Sequence, residues 1–187
     1  MNYKEASLKK YLDDLAAKMP APGGGSASAF TAALGASLIT MVVNFTLGKA
    51  KYAKYENELK GVLEKSEKLR KEFLDLVDLD VSAYKSKNLR DALDVPFMVC
   101  RLCFEGVKLC PCLIKKGNIN LVSDVGVAAV LLESAFSSAY FNVEINLKSL
   151  GDKKLTRMMR KELISKEKLI KRIRLETEEK VGKIIRG

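Results

Sequence analysis

The chain has 187 residues, of which 48% are hydrophobic and 30% are charged, a size and apolar content that fit one globular domain with a buried core. It contains no histidine, which excludes histidine as a proton carrier or metal ligand. Its 33 Lys and Arg exceed its 23 Asp and Glu, and the net charge of +10 indicates affinity for nucleic acid, acidic lipid or a polyanionic small molecule.

Apolar spacing predicts helices from the N-terminus onward. Leu8, Tyr11, Leu12 and Leu15 recur at spacings of three and four, which marks a short amphipathic helix that ends before Pro20. A second helix is predicted at 26–47. The third is a long helix with interleaved Glu and Lys, and its apolar face carries Leu59, Leu63, Leu69, Phe73, Leu74 and Val77.

The second half of the chain also reads as helical. Pro96 and Pro111 interrupt or bound the next helical stretch, which ends at the loop residues 116–118. Further helices are predicted at 123–150 and 153–186. Because no alternating strand pattern or internal repeat is present, the sequence predicts one domain over 1–187, an all-α multihelical bundle around a buried Ala/Gly-rich helix.

The stretch from Pro20 to Lys49 contains PAPGGGSASAF and no charge before Lys49. It is long enough to span a bilayer, but Ser, Thr, Asn and many Ala residues dilute its apolarity. A central bundle helix explains the missing charges better. The glycines add a functional interpretation: they permit positive φ and close approach of a ligand, and the N–H groups at a helix start favour an anion.

Membrane insertion is therefore not expected. The basic N-terminus lacks the apolar core and cleavage site of a signal peptide, so the sequence predicts a cytoplasmic protein.

Four cysteines lie within thirteen positions, and Cys100 and Cys103 form a C-x-x-C pair. Zinc is one interpretation of such a cluster. Cys110 and Cys112 have a different spacing across Pro111, and the neighbouring residues are apolar. Buried, reduced thiols that pack as small hydrophobes are therefore favoured, and no metal is predicted.

A second informative stretch, KGNINLVSDVGVAAVLLESAFSSAYFNVEINLKSLGD, contains Ser123, which is a candidate N-cap residue. Asp124 then lies in the first turn, where the helix dipole stabilises a carboxylate. Asn142 and Asn146 share a face further along the same helix. Buried amides need hydrogen-bond partners. Asn142 and Asn146 bond either to neighbouring helices or to a ligand.

These motifs together resemble the cyclodeaminase/cyclohydrolase family. The resemblance is collinear along nearly the whole chain and is carried by the following motifs: PAPGGGSASA, GKAKY, Asp80-x-x-x-Tyr84, Val95-Pro96, KGNINLVSDVGVAA and NVEINLKSLGD. It implies a multihelical homodimer or dimer of dimers that acts on a one-carbon derivative of tetrahydrofolate, with no cofactor beyond that substrate. The segment between Lys85 and Asp94 is shorter than is usual for the family.

Formiminotetrahydrofolate cyclodeaminase is the favoured activity within this resemblance, ahead of methenyltetrahydrofolate cyclohydrolase. A third alternative is a folate-binding or oligomeric helical protein without turnover. Cyclisation needs a base for the folate N10 proton and an acid for the departing ammonia. Asp124 is the first candidate for this role because it matches a family motif, and Asp80 and Tyr84 are the second candidates.

The predicted substrate-binding residues come from three stretches. Lys49 and Lys51 either orient the folate carboxylates or only terminate the second helix. The full set is Gly23, Gly24, Gly25, Ser26, Lys49, Lys51, Ser123 and Asn142. Asp124 and Asn142 are eighteen positions apart, so on a straight helix they stand ~27 Å apart. They therefore cannot both contact one pterin from the same subunit. Either the helix is broken, or another subunit completes the pocket, or Asn142 has only a structural role.

The C-terminal helix carries most of the net charge, with 13 Lys and Arg against five Glu at 153–187. A solvated helix face is the simplest interpretation. A second is attraction of the polyglutamate tail of folates. Nucleic-acid binding is not expected, since no aromatic platform accompanies the charge.

Overall fold

The computed structural model describes residues 2–187, which form seven α-helices, three short 3-10 helices and no β-strand. The all-α prediction is therefore confirmed. The α-helices are α1 (Leu8–Ala16), α2 (Gly24–Asn44), α3 (Glu56–Ser86), α4 (Leu89–Val107), α5 (Cys110–Lys116), α6 (Val122–Leu150) and α7 (Lys153–Arg186). The 3-10 helices are Tyr3–Glu5, Ala50–Tyr55 and Ile119–Leu121.

Helix α2 lies at the centre of the bundle, between α3 and α6. It runs antiparallel to α3, since Ser26 near its start bonds to Asp80 near the end of α3, and Thr40 bonds to Ser66 further back. The small residues of α2 allow this close packing. A Cβ atom at Gly35 would lie 2.9 Å from Cγ of Leu132 on α6.

Helix α6 also runs antiparallel to α2. Asn142 lies beside Gly24, and the backbone N–H of Asn118, just before α6, donates to Oγ1 of Thr46, just after α2. Both helices have the length and apolarity of membrane spans. Burial inside the bundle explains this apolarity only in part, since 61% of the relevant α2 window but 44% of the α6 window is buried.

The remaining long helices cover the two faces of α6. Asn146 of α6 donates to the backbone carbonyl of Ala92 on α4. On the other side, Arg160 of α7 pairs with Glu144. The α3–α4 connection is a tight turn, in which Lys87 is left-handed and the Asn88 side chain accepts from the first backbone N–H groups of α4.

Several predicted boundaries hold and two local predictions are wrong. The predicted 123–150 and 153–186 helices are observed as α6 and α7. Pro96, by contrast, lies inside α4. Ser123 is not an N-cap: α6 begins one residue earlier, because the 3-10 turn Ile119–Leu121 leads directly into it, and Ser123 is exposed within the helix.

The cysteines behave as small hydrophobes. Three of the four thiols are fully buried and free, and Cys112 is half-buried. Burial raises the pKa of the Cys110 thiol to about 12, so this thiol is neutral at physiological pH. Within residues 2–187 no group of three potential metal-binding side chains occurs.

Candidate functional site

The carboxylate of Asp80 lies over the first turn of α2. Its Oδ2 atom accepts the backbone N–H of Ser26 at 2.9 Å. The N-terminus of a helix favours negative charge, because its first N–H groups have no partner within the helix. Asp80 therefore fills the anion site that the sequence assigned to the substrate.

Gly25 is what lets this carboxylate come so close. A Cβ atom at Gly25 would overlap Oδ1 of Asp80 and would lie 2.6 Å from its Cγ. The expected positive φ is not observed at Gly23, Gly24 or Gly25: Gly23 is extended and the other two begin the helix. The glycines therefore allow the Asp80 carboxylate to approach the helix closely, and they do not form a turn with positive φ.

Burial sets the protonation behaviour of Asp80. Desolvation raises the pKa of this carboxyl above its usual range, and the Ser26 N–H bond opposes the rise only in part. A partly buried carboxyl with a raised pKa is suited to give and take protons. This environment makes Asp80 a candidate for acid–base chemistry.

Two other predicted residues lie near this carboxylate. Asn142 on α6 approaches Gly24 so closely that a Cβ there would be 3.5 Å from its amide, and this amide bonds to the carbonyl of Ser138 in its own helix. Tyr84 lies one turn after Asp80 on α3 and is 59% exposed. We call Gly24, Gly25, Ser26, Asp80 and Asn142 the Asp80 corner.

The other predicted residues lie at the opposite end of the bundle. Asp124 is in the first turn of α6, five turns or ~27 Å from Asn142 along an unbroken helix. Within one chain the glycine corner and Asp124 therefore do not meet. Lys49 and Lys51 belong to the same end, and both follow α2 by at least five residues, so neither terminates that helix.

The outer side of α2 carries no charge, and the exposed residues of α6 from Ser123 to Ile145 carry none either. The exposed stripe of α6 consists of Ser123, Val127, Val130, Ser134, Ser138, Phe141 and Ile145. The partly exposed stripe of α2 consists of Gly24, Ala27, Thr31, Leu34, Leu38 and Met41. We call these two stripes the uncharged face. It is unusual in a chain with 30% charged residues.

A groove of about 1210 Å³ lies between the end of α6 and the start of α7. Phe141, Ile145 and Ile164 give it apolar walls. Its basic side chains include Lys148, Lys153, Arg157 and Lys161, for which the part of the chain that the structure describes provides no ion pair. We call it the basic groove; it begins one residue from Asn142.

Sequence reasoning missed one polar contact of the Asp80 corner. It treated Tyr11 only as an apolar position of α1. In the structure the Tyr11 hydroxyl lies 3.2 Å from Oγ of the fully buried Ser26. A tyrosine on an apolar stripe was the available signal, since a buried hydroxyl usually has a hydrogen-bond partner.

Comparison with known proteins gives one consistent group of relatives. The family model described as Formiminotransferase-cyclodeaminase matches residues 7–87 and 86–165. A methenyltetrahydrofolate cyclohydrolase of Methylorubrum extorquens is 38% identical over 180 residues, which cover 84% of this chain and 86% of the relative.

A formimidoyltransferase-cyclodeaminase of Rattus norvegicus is 30% identical over 171 residues, which cover 79% of this chain but only 32% of that longer relative. The crystal structure of formiminotetrahydrofolate cyclodeaminase from Thermotoga maritima matches with a TM-score of 0.93 and 30% identity, over 98% of this chain and 99% of that one. These relatives are all named as enzymes.

The close approach at Gly25 predicts a sharp difference between two neighbouring glycines. Gly25→Ala should lower the free energy of unfolding by about 1 to 3 kcal/mol, because the new methyl group displaces Asp80. Gly24→Ala is the matched control, since its methyl group makes only ordinary contact with Asn142. Denaturant unfolding of both variants measures the difference, and equal stabilities would contradict the observed packing.

Proposed function

Because the chain belongs to the formiminotransferase-cyclodeaminase family of folate one-carbon enzymes, we propose that it cyclises formiminotetrahydrofolate to 5,10-methenyltetrahydrofolate and releases ammonia. The observation that carries this proposal is the partly buried Asp80 carboxylate over the N-terminus of α2. It combines a raised pKa, a fixed position and neighbours that leave one oxygen turned toward Gly25.

Asp80 accepts the proton from N10 as this nitrogen attacks the formimino carbon on N5. The resulting tetrahedral carbon carries three nitrogens and collapses when the former imino nitrogen leaves as ammonia, which takes up a proton. The formimino group is cationic when protonated, so an anionic partner also stabilises it. Asp80 thus replaces Asp124 as our first candidate for proton transfer, and Asp124 becomes a candidate for holding the substrate.

Hydrolysis of 5,10-methenyltetrahydrofolate is the second candidate function. The relative from Methylorubrum extorquens favours it, since this 38% identical protein is named for that reaction. Here the same carboxylate accepts a proton from the water that adds to the methenyl carbon. Both reactions pass through a tetrahedral carbon bound to N5 and N10, and neither needs a cofactor beyond the folate.

The uncharged face supports assembly into a homodimer. Its two stripes extend over most of the length of α2 and α6 and contain exposed apolar residues such as Leu34, Val127 and Phe141. A second copy of the chain offers the same uncharged surface, as a twofold interface requires. Because the face is uncharged, the two highly basic subunits can meet there without placing like charges in contact.

A twofold axis through this face also completes the candidate site. Asp124 and Asn142 lie at equal distances on either side of position 133 of α6, close to the exposed Val130 and Ser134. An axis at that point brings Asp124 of one subunit next to the Asp80 corner of the other. The dimer would then hold two identical sites, each with Asp80 and Asp124 from different subunits.

The basic groove supports a polyglutamylated folate as substrate. It starts beside Asn142, and its unpaired Lys and Arg side chains complement the carboxylates of glutamate residues. Its apolar walls suit the aromatic part of the folate. We place the protein in the cytoplasm, where a reducing environment agrees with its buried, free thiols.

The absorption of the methenyl product tests the reaction directly. Purified protein is expected to produce the near-ultraviolet methenyl band and ammonia from formiminotetrahydrofolate. Loss of this band from supplied methenyltetrahydrofolate, faster than spontaneous hydrolysis, would identify the second candidate instead. Asp80→Asn should lower kcat by about 10²- to 10⁴-fold, and normal turnover by this variant would contradict the role of Asp80.

Stability at neutral pH is the control for this variant. The folded-state pKa of Asp80 is raised, so folding favours its protonated form. Its contribution to stability is complete below the unfolded-state pKa and is lost as the pH rises through the folded-state pKa. Asp80→Asn should therefore be at least as stable as the wild type at neutral pH, and its inactivity cannot then come from unfolding.

Mixed dimers test whether the site is shared. Asp80→Asn and Asp124→Asn are each expected to be inactive alone. When the two are unfolded and refolded together, half of the dimers should be mixed, and one of their two sites contains both native aspartates. About a quarter of the wild-type activity is therefore expected. Two inactive proteins that stay inactive together, despite demonstrated mixed dimers, would contradict the shared site.

The basic groove is tested by comparing folates with one and several glutamates. Arg157→Ala with Lys161→Ala should reduce the affinity advantage of a pentaglutamate by about tenfold. Lys168→Ala lies on the same helix but outside the groove and serves as the control. Equal affinities of the two folates for the wild type at low salt would rule out a groove for the tail.

A further inference from the structure

The N-terminal segment reaches the Asp80 corner through one tyrosine. Tyr11 of α1 is only 5% exposed, and its ring packs against the rings of Tyr3 and Phe30. Its hydroxyl lies 3.2 Å from Oγ of Ser26. The backbone N–H of the same Ser26 donates to Asp80. Ser26 is therefore hydrogen-bonded to Tyr11 through its side chain and to Asp80 through its backbone.

The same segment is also fixed to α3 close to Asp80. The backbone N–H of Tyr3 donates to Oδ1 of Asp78 at 2.6 Å, and Nζ of Lys4 pairs with Asp75 at 2.7 Å. Asp78 lies two residues before Asp80 on α3. Residues 3–16 therefore connect the start of α2 with the part of α3 that carries the candidate base.

Building on the function proposed above, we propose that Tyr11 is a positioning residue that holds Ser26, and with it the first turn of α2, in place under the Asp80 carboxylate. The N-terminal segment then belongs to the machinery of proton transfer, although none of its side chains lies within the Asp80 corner. Tyr11 acts through Ser26 and does not exchange a proton with the substrate.

The surroundings of Asp80 make this arrangement measurable. From α2 the Ser26 N–H is the hydrogen-bond donor that lowers its pKa, and burial is the opposing and larger influence. From α1 the titratable group that senses Asp80 is Tyr11, whose own pKa is raised by burial first and by the Asp80 charge as well. From α6 the uncharged Asn142 adjoins Gly24. A weaker Ser26 bond must therefore raise the pKa of Asp80 further.

Tyr11→Phe tests the proposal because it removes only the hydroxyl and keeps the buried ring. The pKa of Asp80, followed by carbon-13 NMR of its carboxyl group in the full chain, should rise by about 0.5 to 1 unit, since one neutral hydrogen bond has about that free energy. The acid limb of kcat should move to higher pH by the same amount. Below that limb turnover should fall about three- to tenfold.

Tyr3→Phe is the matched control. It also removes a hydroxyl from the N-terminal segment, but this hydroxyl bonds to Asp14 and not to Ser26. It should leave both the Asp80 titration and the acid limb unchanged. A double-mutant cycle tests whether Tyr11 acts through Ser26. Ser26→Ala should shift the Asp80 titration in the same way, and adding Tyr11→Phe to it should have little further effect.

The outcomes separate this inference from the proposed function. A Tyr11→Phe protein that unfolds more easily but keeps the Asp80 titration of the wild type would overturn the positioning role and leave a structural one. A wild-type protein without turnover of either folate would instead refute the proposed function, and the NMR titration of wild type and Tyr11→Phe would still decide whether Tyr11 controls Asp80.

Discussion

The close contact between a carboxylate and a helix N-terminus governs the rest of this site. Asp80 can sit over the first turn of α2 only because Gly25 has no side chain. The helix dipole favours the charged carboxyl, while burial opposes it, and burial is the larger influence on the pKa. Because these two influences oppose each other, small movements of the neighbouring groups change the protonation of Asp80. This is why a hydroxyl on α1 matters to the chemistry we propose.

The antiparallel packing of α2 and α6 decides how the predicted residues combine. It puts Asn142 at the Asp80 corner and Asp124 at the far end of the same helix pair. In the homodimer that we propose, each subunit contributes these two parts to different sites across the uncharged face. The inner side of α2 is uncharged because it is buried, and the homodimer that we propose accounts for its uncharged outer side.

Much of the fold could be predicted from the sequence, because helical spacing is local information. The predicted range 153–186 matches α7, and 123–150 matches α6 within one residue. The contact of Gly25 with Asp80 could not be predicted, since it joins residues 55 positions apart through the packing of two helices. Ser123 failed as a cap for a local reason, because a preceding 3-10 turn already starts the helix. The separation of Asp124 and Asn142 followed from helix geometry alone.

A crystal structure with a non-reacting 5-formyl derivative of tetrahydrofolate tests the central claim most directly. The one-carbon group is expected within hydrogen-bond distance of Asp80, and the carboxylate should stay on the Ser26 N–H. The glutamate carboxylates should lie away from the N-terminus of α2. A glutamate carboxylate bound to the N–H groups of residues 24–26, with Asp80 displaced, would contradict this claim.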